Sequence, residues 1–302
     1  MLPEVLSVLT WDRSGYYLDG TLGEGGHARA ILAELEPPGC LFGVDRDPDA
    51  LEIARRNLAP FGDRVQLAHG NFRDLPALCP EPWRGRVSGI LLDLGLRSSA
   101  LDEARRGFSF QQDGPLDMRF DPTAGPAAGP SAADLLARID ARELERILEA
   151  GTTRARPRRI ARAILDWRTA RRPLTTTGEL VECLRQGLGR RADRKLLSSV
   201  FSALRMEVNH ETDDLDEALA TLPGLLRIGG VLCVLSYQSQ EDRRVKLAGR
   251  ATAEDPRSGV GIVLEPVTKK PIRPSADEQR RNRRSRSAML RVLRRIATPS
   301  PS

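Results

Sequence analysis

The chain has 302 residues, of which 40 % are hydrophobic, 29 % charged and only 4 % aromatic, and its formal net charge is +6. That length allows one large or two modest domains with a real core, and no apolar run approaches the roughly 18 residues of a membrane span. Four cysteines (Cys40, Cys79, Cys183, Cys233) form no C-x-x-C pair and stand at no metal-ligand spacing from a histidine, which argues against a disulfide scaffold and against a metal site.

The first informative element is Tyr16–Asp19, a short apolar run ending in an acid. It enters Gly20-Thr21-Leu22-Gly23-Glu24-Gly25-Gly26-His27, and a helical pattern follows from Ala28 to Leu35. A strand, a glycine-rich turn and a helix start in that order let a ligand approach the backbone and offer it free N–H groups. A second strand, Cys40–Asp45, ends in a carboxylate about 20 residues past the glycines, where a nucleotide-binding unit grips ribose hydroxyls. Val65–Ala68 and Val87–Asp93 read as strands three and four, with a helical pattern at Asp49 to Leu58 between. Apolar strands alternating with helices predict a parallel sheet covered on both faces. Asp93, at the end of the fourth strand, is predicted to stand between cofactor and acceptor, and Phe72, in the loop after the third, either packs on an adenine or is an ordinary core residue.

After about residue 100 the pattern changes. Phe108–Thr123 is dense in Gly, Pro and Asp, and its Asp113, Asp117 and Asp121 suit turn chemistry with ion pairs to Arg105, Arg106 or Arg119. Residues 131–222 read as helical, and strands resume at 229–235 and 260–264. The expected organisation is an α/β domain formed by 1–102 and 206–302, with a helical insertion at 103–205. Two runs are dense in arginine: eight Arg against one acid in 154–172, and eight against two in 277–295. Either is accounted for by a solvated helix face; together they favour an RNA or DNA contact.

The glycines miss the G-x-G-x-x-G spacing of a dinucleotide site. A carboxylate at position 19 would repel a pyrophosphate and suits a cofactor with a cationic amino group and a sulfonium, which favours S-adenosylmethionine; an Asx turn is the simpler role for the same residue.

Arg106-Gly107-Phe108-Ser109-Phe110 followed by Asp113-Gly114-Pro115-Leu116-Asp117-Met118-Arg119 is long and unusual. With Asp19-Gly20-Thr21, Gly25-Gly26-His27, Asp45-Arg46-Asp47-Pro48, Leu92-Asp93-Leu94-Gly95, Ala203-Leu204-Arg205 and Glu241-Asp242-Arg243, the chain resembles the RsmH (MraW) family of bacterial ribosomal RNA cytosine-N4 methyltransferases over nearly its whole length. The resemblance implies a Rossmann-like class I methyltransferase sheet, S-adenosylmethionine held by Gly25, Gly26, His27, Asp45, Phe72 and Asp93, and a helical insertion that recognises 16S ribosomal RNA or the small subunit. Asp93, with Ser236 or Tyr237 after the fifth strand, is expected to orient the cytosine amine, and no metal is expected. A cytoplasmic protein without a membrane partner follows, and a homodimer is left open. The chain departs from the family pattern at Ala100, where a cofactor-contacting Gln is usual, and at Tyr237-Gln238-Ser239-Gln240, where Phe-His-Ser-Leu is usual. Those departures keep two other readings in play: an RNA- or ribosome-binding relative that no longer transfers methyl groups, and a methyltransferase with a different RNA target.

Overall fold

The computed structural model describes residues 1–151, 157–170, 173–250, 252–254 and 261–297. Residues 1–95 and 213–302 form one compact unit and residues 96–212 another. The division therefore falls at Leu96 and Thr212, outside the expected 103 and 205. The short helix Ser98–Asp102 and the end of the long helix before Asn209 go with the helical unit, because their apolar side chains pack there.

In chain order, the first unit opens with α1 (Leu2–Leu9), β1 (Tyr16–Asp19), α2 (Gly26–Glu34), β2 (Cys40–Asp45), α3 (Pro48–Leu58), β3 (Val65–His69), α4 (Leu75–Leu78) and β4 (Val87–Asp93). The chain then builds the helical unit from α5 (Ser98–Asp102), α6 (Ala132–Arg138), α7 (Ala141–Gly151), α8 (Pro157–Ala170), α9 (Thr177–Leu188) and α10 (Arg194–Val208). It returns through α11 (Glu211–Thr221), β5 (Leu226–Ser236), α12 (Ser239–Ala248), β6 (Thr252–Glu254), β7 (Gly261–Pro266), α13 (Ala276–Arg281) and β8 (Met289–Ile296).

The strands make one 8-stranded sheet in the order β3-β2-β1-β4-β5-β8-β7-β6. The pairs among β1 to β5 are parallel; those joining β5, β8, β7 and β6 are antiparallel. The parallel strands are buried on both faces, which is why they read as near-continuous apolar runs. Alternate residues feed opposite layers: Leu18, Ile90, Leu92, Leu232 and Val234 enter one core, and Tyr17, Leu91, Val231, Cys233 and Leu235 the other. The winding reverses between β1 and β4, so a crevice opens at the carboxyl ends of those strands, the ligand position of a doubly wound Rossmann-like sheet.

The tail agrees with a solvated helix face at α13, where Arg280 and Arg281 are exposed, and differs from it beyond Met289. β8 inserts between β5 and β7, and Met289, Leu290, Val292 and Leu293 are buried in it. Arg291, 9 % exposed, donates from Nε and Nη2 to the two carboxylate oxygens of Asp242 on α12 at 2.7 and 2.9 Å. Arg295 Nη1 donates to the Leu226 carbonyl at 2.6 Å. These guanidiniums fasten the sheet to its surroundings and are not presented to a polyanion. In the other arginine run, Arg168 Nη1 donates to the carbonyls of Leu136 and Ile139, both at 2.9 Å, and residues 154–156 and 171–172 lie outside the described residues.

In the helical unit the family-like block at 106–120 is a knot of local bonds. The Asp113 carboxylate accepts N–H bonds from Gly178 at 2.7 Å and Gly114 at 2.9 Å, which hold its carboxyl below the usual range. Asp117 takes a bidentate pair from Arg119 at 2.8 and 2.7 Å, and Asp121 accepts from Thr123. The buried Asn209 closes the block, donating to the Met118 carbonyl at 2.7 Å and accepting from the Phe120 N–H at 2.8 Å. Capping boxes at Thr176/Glu179 and Ser131/Asp134 set where α9 and α6 begin.

Removing one partner of the Asp242–Arg291 pair strands the other charge in a nearly water-free place. Asp242→Asn is expected to cost about 3 kcal/mol of unfolding free energy, read from urea denaturation, and an unchanged midpoint would show the pair to be dispensable.

Candidate cofactor and active site

Four candidate residues of the first unit sit where their strands end. Asp19 closes β1, Asp45 closes β2, Asp93 closes β4 and Ser236 closes β5, all at carboxyl ends of parallel strands. The glycine loop after β1 is fixed from both sides. Gly20 N–H donates to the Leu91 carbonyl at 2.9 Å, and Leu22 N–H donates to the Val44 carbonyl at 3.0 Å. Thr21, which sequence reasoning passed over, accepts the Asp93 N–H on its hydroxyl at 2.6 Å and so ties the ends of β1 and β4 together.

The start of α2 is bare. Gly25 is its N-cap at φ 83°, a left-handed conformation that glycine adopts without strain, and no side chain caps the first turn. Gly26 has an ordinary backbone conformation, and a Cβ built on it meets nothing within 4 Å. Nothing inside the protein demands glycine there, so what glycine supplies is room. Unsatisfied N–H groups beside an empty space at a helix N-terminus suit a carboxylate or another anion.

Around that space the polar groups are acceptors short of donors. Asp19 is 1 % exposed; its Oδ1 accepts the Thr21 N–H at 3.2 Å, while Oδ2 is buried with no partner. Burial, reinforced by the charges of Asp93 and Asp45 and partly opposed by the Thr21 bond, pushes the Asp19 carboxyl up to about 7. Asp93 Oδ1 and His27 Nε2 are likewise buried without partners. His27 Nδ1 lies 3.7 Å from Asp93 Oδ2, and burial lowers the imidazole pKa against the pull of that carboxylate. Tyr237 is its neighbour: its ring packs on the backbone of Gly95, where an added Cβ would come within 2.8 Å of it. Burial and then the Asp93 charge push its phenol far above the ordinary range, so it stays a donor.

Asp45 is committed on both oxygens, Oδ2 to the Gly23 N–H at 2.6 Å and Oδ1 to the Asp47 N–H at 2.8 Å. The loop N–H groups orient the carboxylate at the end of β2. Phe72 is 8 % exposed and packs into the core with Leu18, Leu75, Ile90 and Leu92. Ser236 is 1 % exposed and its hydroxyl donates to the Met289 carbonyl at 3.4 Å; it is engaged with β8, unlike the acceptor cluster. Glu241 was missed as a site element. It is buried and accepts the N–H groups of Tyr237 and Gln238 at 2.9 and 3.1 Å, which fixes the turn that carries Tyr237.

The set fits a ligand that brings cationic donors and one carboxylate on a nucleoside. A pyrophosphate does not fit beside Asp19, Asp45 and Asp93, whose mutual repulsion calls for positive charge.

Across the whole site and both units, a model of the MraW methylase family matches residues 1–296. The chain belongs to the MraW methylase family. It is 42 % identical over 308 residues to the ribosomal RNA small subunit methyltransferase H of Syntrophotalea carbinolica, covering 98 % of this chain and 96 % of that protein. It is 41 % identical over 307 residues to the protein of the same name from Thermomicrobium roseum, covering 98 % and 93 %. As an MraW-family chain it departs from the expected pattern at Ala100, which is 1 % exposed and packed in the core of the helical unit.

Two outcomes follow for a cationic cofactor. Its affinity should weaken roughly tenfold between about pH 7 and pH 5.5, because Asp19 must be ionised to meet it and takes a proton as pH falls through about 7. For the unliganded protein the sign is opposite: stability should fall as pH rises from the ordinary carboxylate range to about 7, because the unfolded chain has already released the proton that folded Asp19 keeps. Calorimetry across that range should show proton release on binding, and Asp19→Asn should flatten the dependence; a slope unaffected by Asp19→Asn would sink the assignment. Separately, Gly26→Ala should leave the melting temperature no lower than the parent's, since its Cβ meets no protein atom within 4 Å, while binding falls roughly tenfold. Retained binding would place the cofactor elsewhere.

Proposed function

We propose that this chain transfers a methyl group from S-adenosylmethionine to the exocyclic N4 of a cytosine in small-subunit ribosomal RNA, in the cytoplasm. The observation that carries the reading is the cluster of buried acceptors lacking donors, Asp19 Oδ2 and Asp93 Oδ1, beside the empty space at Gly26. The family membership and the names of the curated relatives support it.

Bound S-adenosylmethionine supplies a methyl carbon activated by positive sulfur. Asp19 would meet its ammonium, the first turn of α2 from Gly26 its carboxylate, and Asp45 its ribose. The cytosine amine is a poor nucleophile because its lone pair is delocalised into the ring, so the protein must align it. Asp93 Oδ1 accepts one N4–H, holds the nitrogen in line and stabilises the charge that grows on it. The proton becomes acidic only as the nitrogen is methylated, and Asp93 is placed to take it. Tyr237, kept protonated, donates toward the same carboxylate region and sets its orientation; His27, kept neutral by burial, packs against Asp93 without adding a competing cation. Ser236 takes no part beyond holding β5 to β8. A base inside paired RNA is out of reach, so the target is single-stranded or flipped out.

A second reading, an RNA-binding relative without transfer activity, is favoured by Ala100 in place of the usual Gln. Nucleoside mass spectrometry of small-subunit RNA from a deletion strain separates the two: loss of N4-methylcytidine is expected, and an unchanged level overturns the transferase reading. In vitro, Asp93→Asn should lower turnover by roughly 100-fold or more with cofactor binding reduced far less, and Tyr237→Phe by roughly tenfold.

A further inference from the structure

Asp214, on α11, is 1 % exposed, and its carboxylate gathers donors from two loops far away in sequence. Arg46 Nη1 donates to Oδ2 at 2.9 Å, Asn71 Nδ2 donates to the same oxygen at 2.6 Å, and Arg73 Nη1 donates to Oδ1 at 3.0 Å. Arg46 directly follows Asp45; Asn71 directly precedes Phe72. The two loops are also laced to each other, the Gly70 N–H donating to the Asp45 carbonyl at 3.0 Å and His69 Nε2 lying 3.0 Å from the Arg46 carbonyl. Asn71 is used at both ends: its Oδ1 accepts the Arg73 N–H at 3.3 Å and starts the short turn Phe72–Asp74.

Burying a carboxylate beneath two guanidiniums is expensive in desolvation, and an apolar side chain of similar volume would cover the same surface at lower cost. The arrangement is explained by what it positions. Asp214 is the common acceptor for the loop that begins at Arg46, next to the Asp45 carboxylate, and the loop that carries Phe72, and it links the two beyond the last β2–β3 pair, Asp45 with His69.

We propose that Asp214 is a positioning residue for the nucleoside end of the cofactor pocket, holding the loops after β2 and β3 at the separation that a ribose and its base require. This rests on the reading of the crevice as the S-adenosylmethionine site. Asp214 touches no ligand; it acts through Arg46 and Asn71. Its effect is therefore confined to the half of the ligand that those loops face, whereas Asp19 and the start of α2 govern the amino-acid half.

Two ligands separate the halves: S-adenosylmethionine, and 5′-methylthioadenosine, which keeps the nucleoside and lacks the amino acid. Asp214→Asn keeps the volume and removes the charge. It should weaken both ligands by the same factor, roughly tenfold, while Asp19→Asn weakens S-adenosylmethionine and spares 5′-methylthioadenosine. Arg46→Met and Arg73→Met each leave Asp214 two donors and keep the measurement possible if Asp214→Asn does not fold; each should give a smaller loss with the same equality between ligands. A variant that melts earlier but binds both ligands as the parent does, well below its melting temperature, would show a purely structural role and overturn the proposal. So would a loss seen with S-adenosylmethionine alone. If the parent protein binds neither ligand, it is the cofactor reading that falls.

Discussion

Three carboxylates end three neighbouring parallel strands, and that gathering of like charge is the constraint on which the functional half of the molecule depends. Asp19 closes β1, Asp45 closes β2 and Asp93 closes β4, and the reversal of winding between β1 and β4 brings them to one crevice. In water such a cluster would be screened. Here Asp19 is buried, its carboxyl is pushed up to about 7, and one of its oxygens has no donor. Bulk solvent cannot relieve that; a cation of the right shape can. Under the proposed function, that electrostatic deficit is what a cationic nucleoside would correct, drawing binding energy from the protein's own unfavourable burial.

The surroundings make the deficit tolerable and hold its geometry. Asp45 is anchored by two N–H groups, Thr21 ties β1 to β4 through the Asp93 N–H, Glu241 fixes the turn under Tyr237, and Asp214 sets the spacing of the loops beyond β2 and β3. None of these supports needs to touch substrate. Each converts a flexible strand-end loop into a rigid wall, which is what alignment of a weakly nucleophilic amine demands.

Much of this was legible in the linear chain, because strand ends and glycine loops are local. The runs Tyr16–Asp19, Cys40–Asp45 and Val87–Asp93 form strands with those bounds, since continuous apolar residues closed by an acid report a buried parallel strand and its end. The arginine-dense tail was opaque for the converse reason. Arg291, Arg294 and Arg295 break the apolar pattern of β8, and only the Asp242 carboxylate, 49 residues away, turns Arg291 into an interior residue. Ser236 and Phe72 were read by their place after a strand; their side chains found partners in β8 and in the core first.

The sequence by itself determined the class of fold and the acids that close its parallel strands, since these follow from short-range pattern and from the rule that parallel strands present their carboxyl ends together. Only the tertiary structure decided which of those acids lack a partner, which hydroxyl is already engaged, and that Asp214 binds two loops separated from it by 168 and 143 residues. The reason is physical: whether a polar group is satisfied depends on every atom that reaches it, and those atoms come from parts of the chain that no local pattern connects.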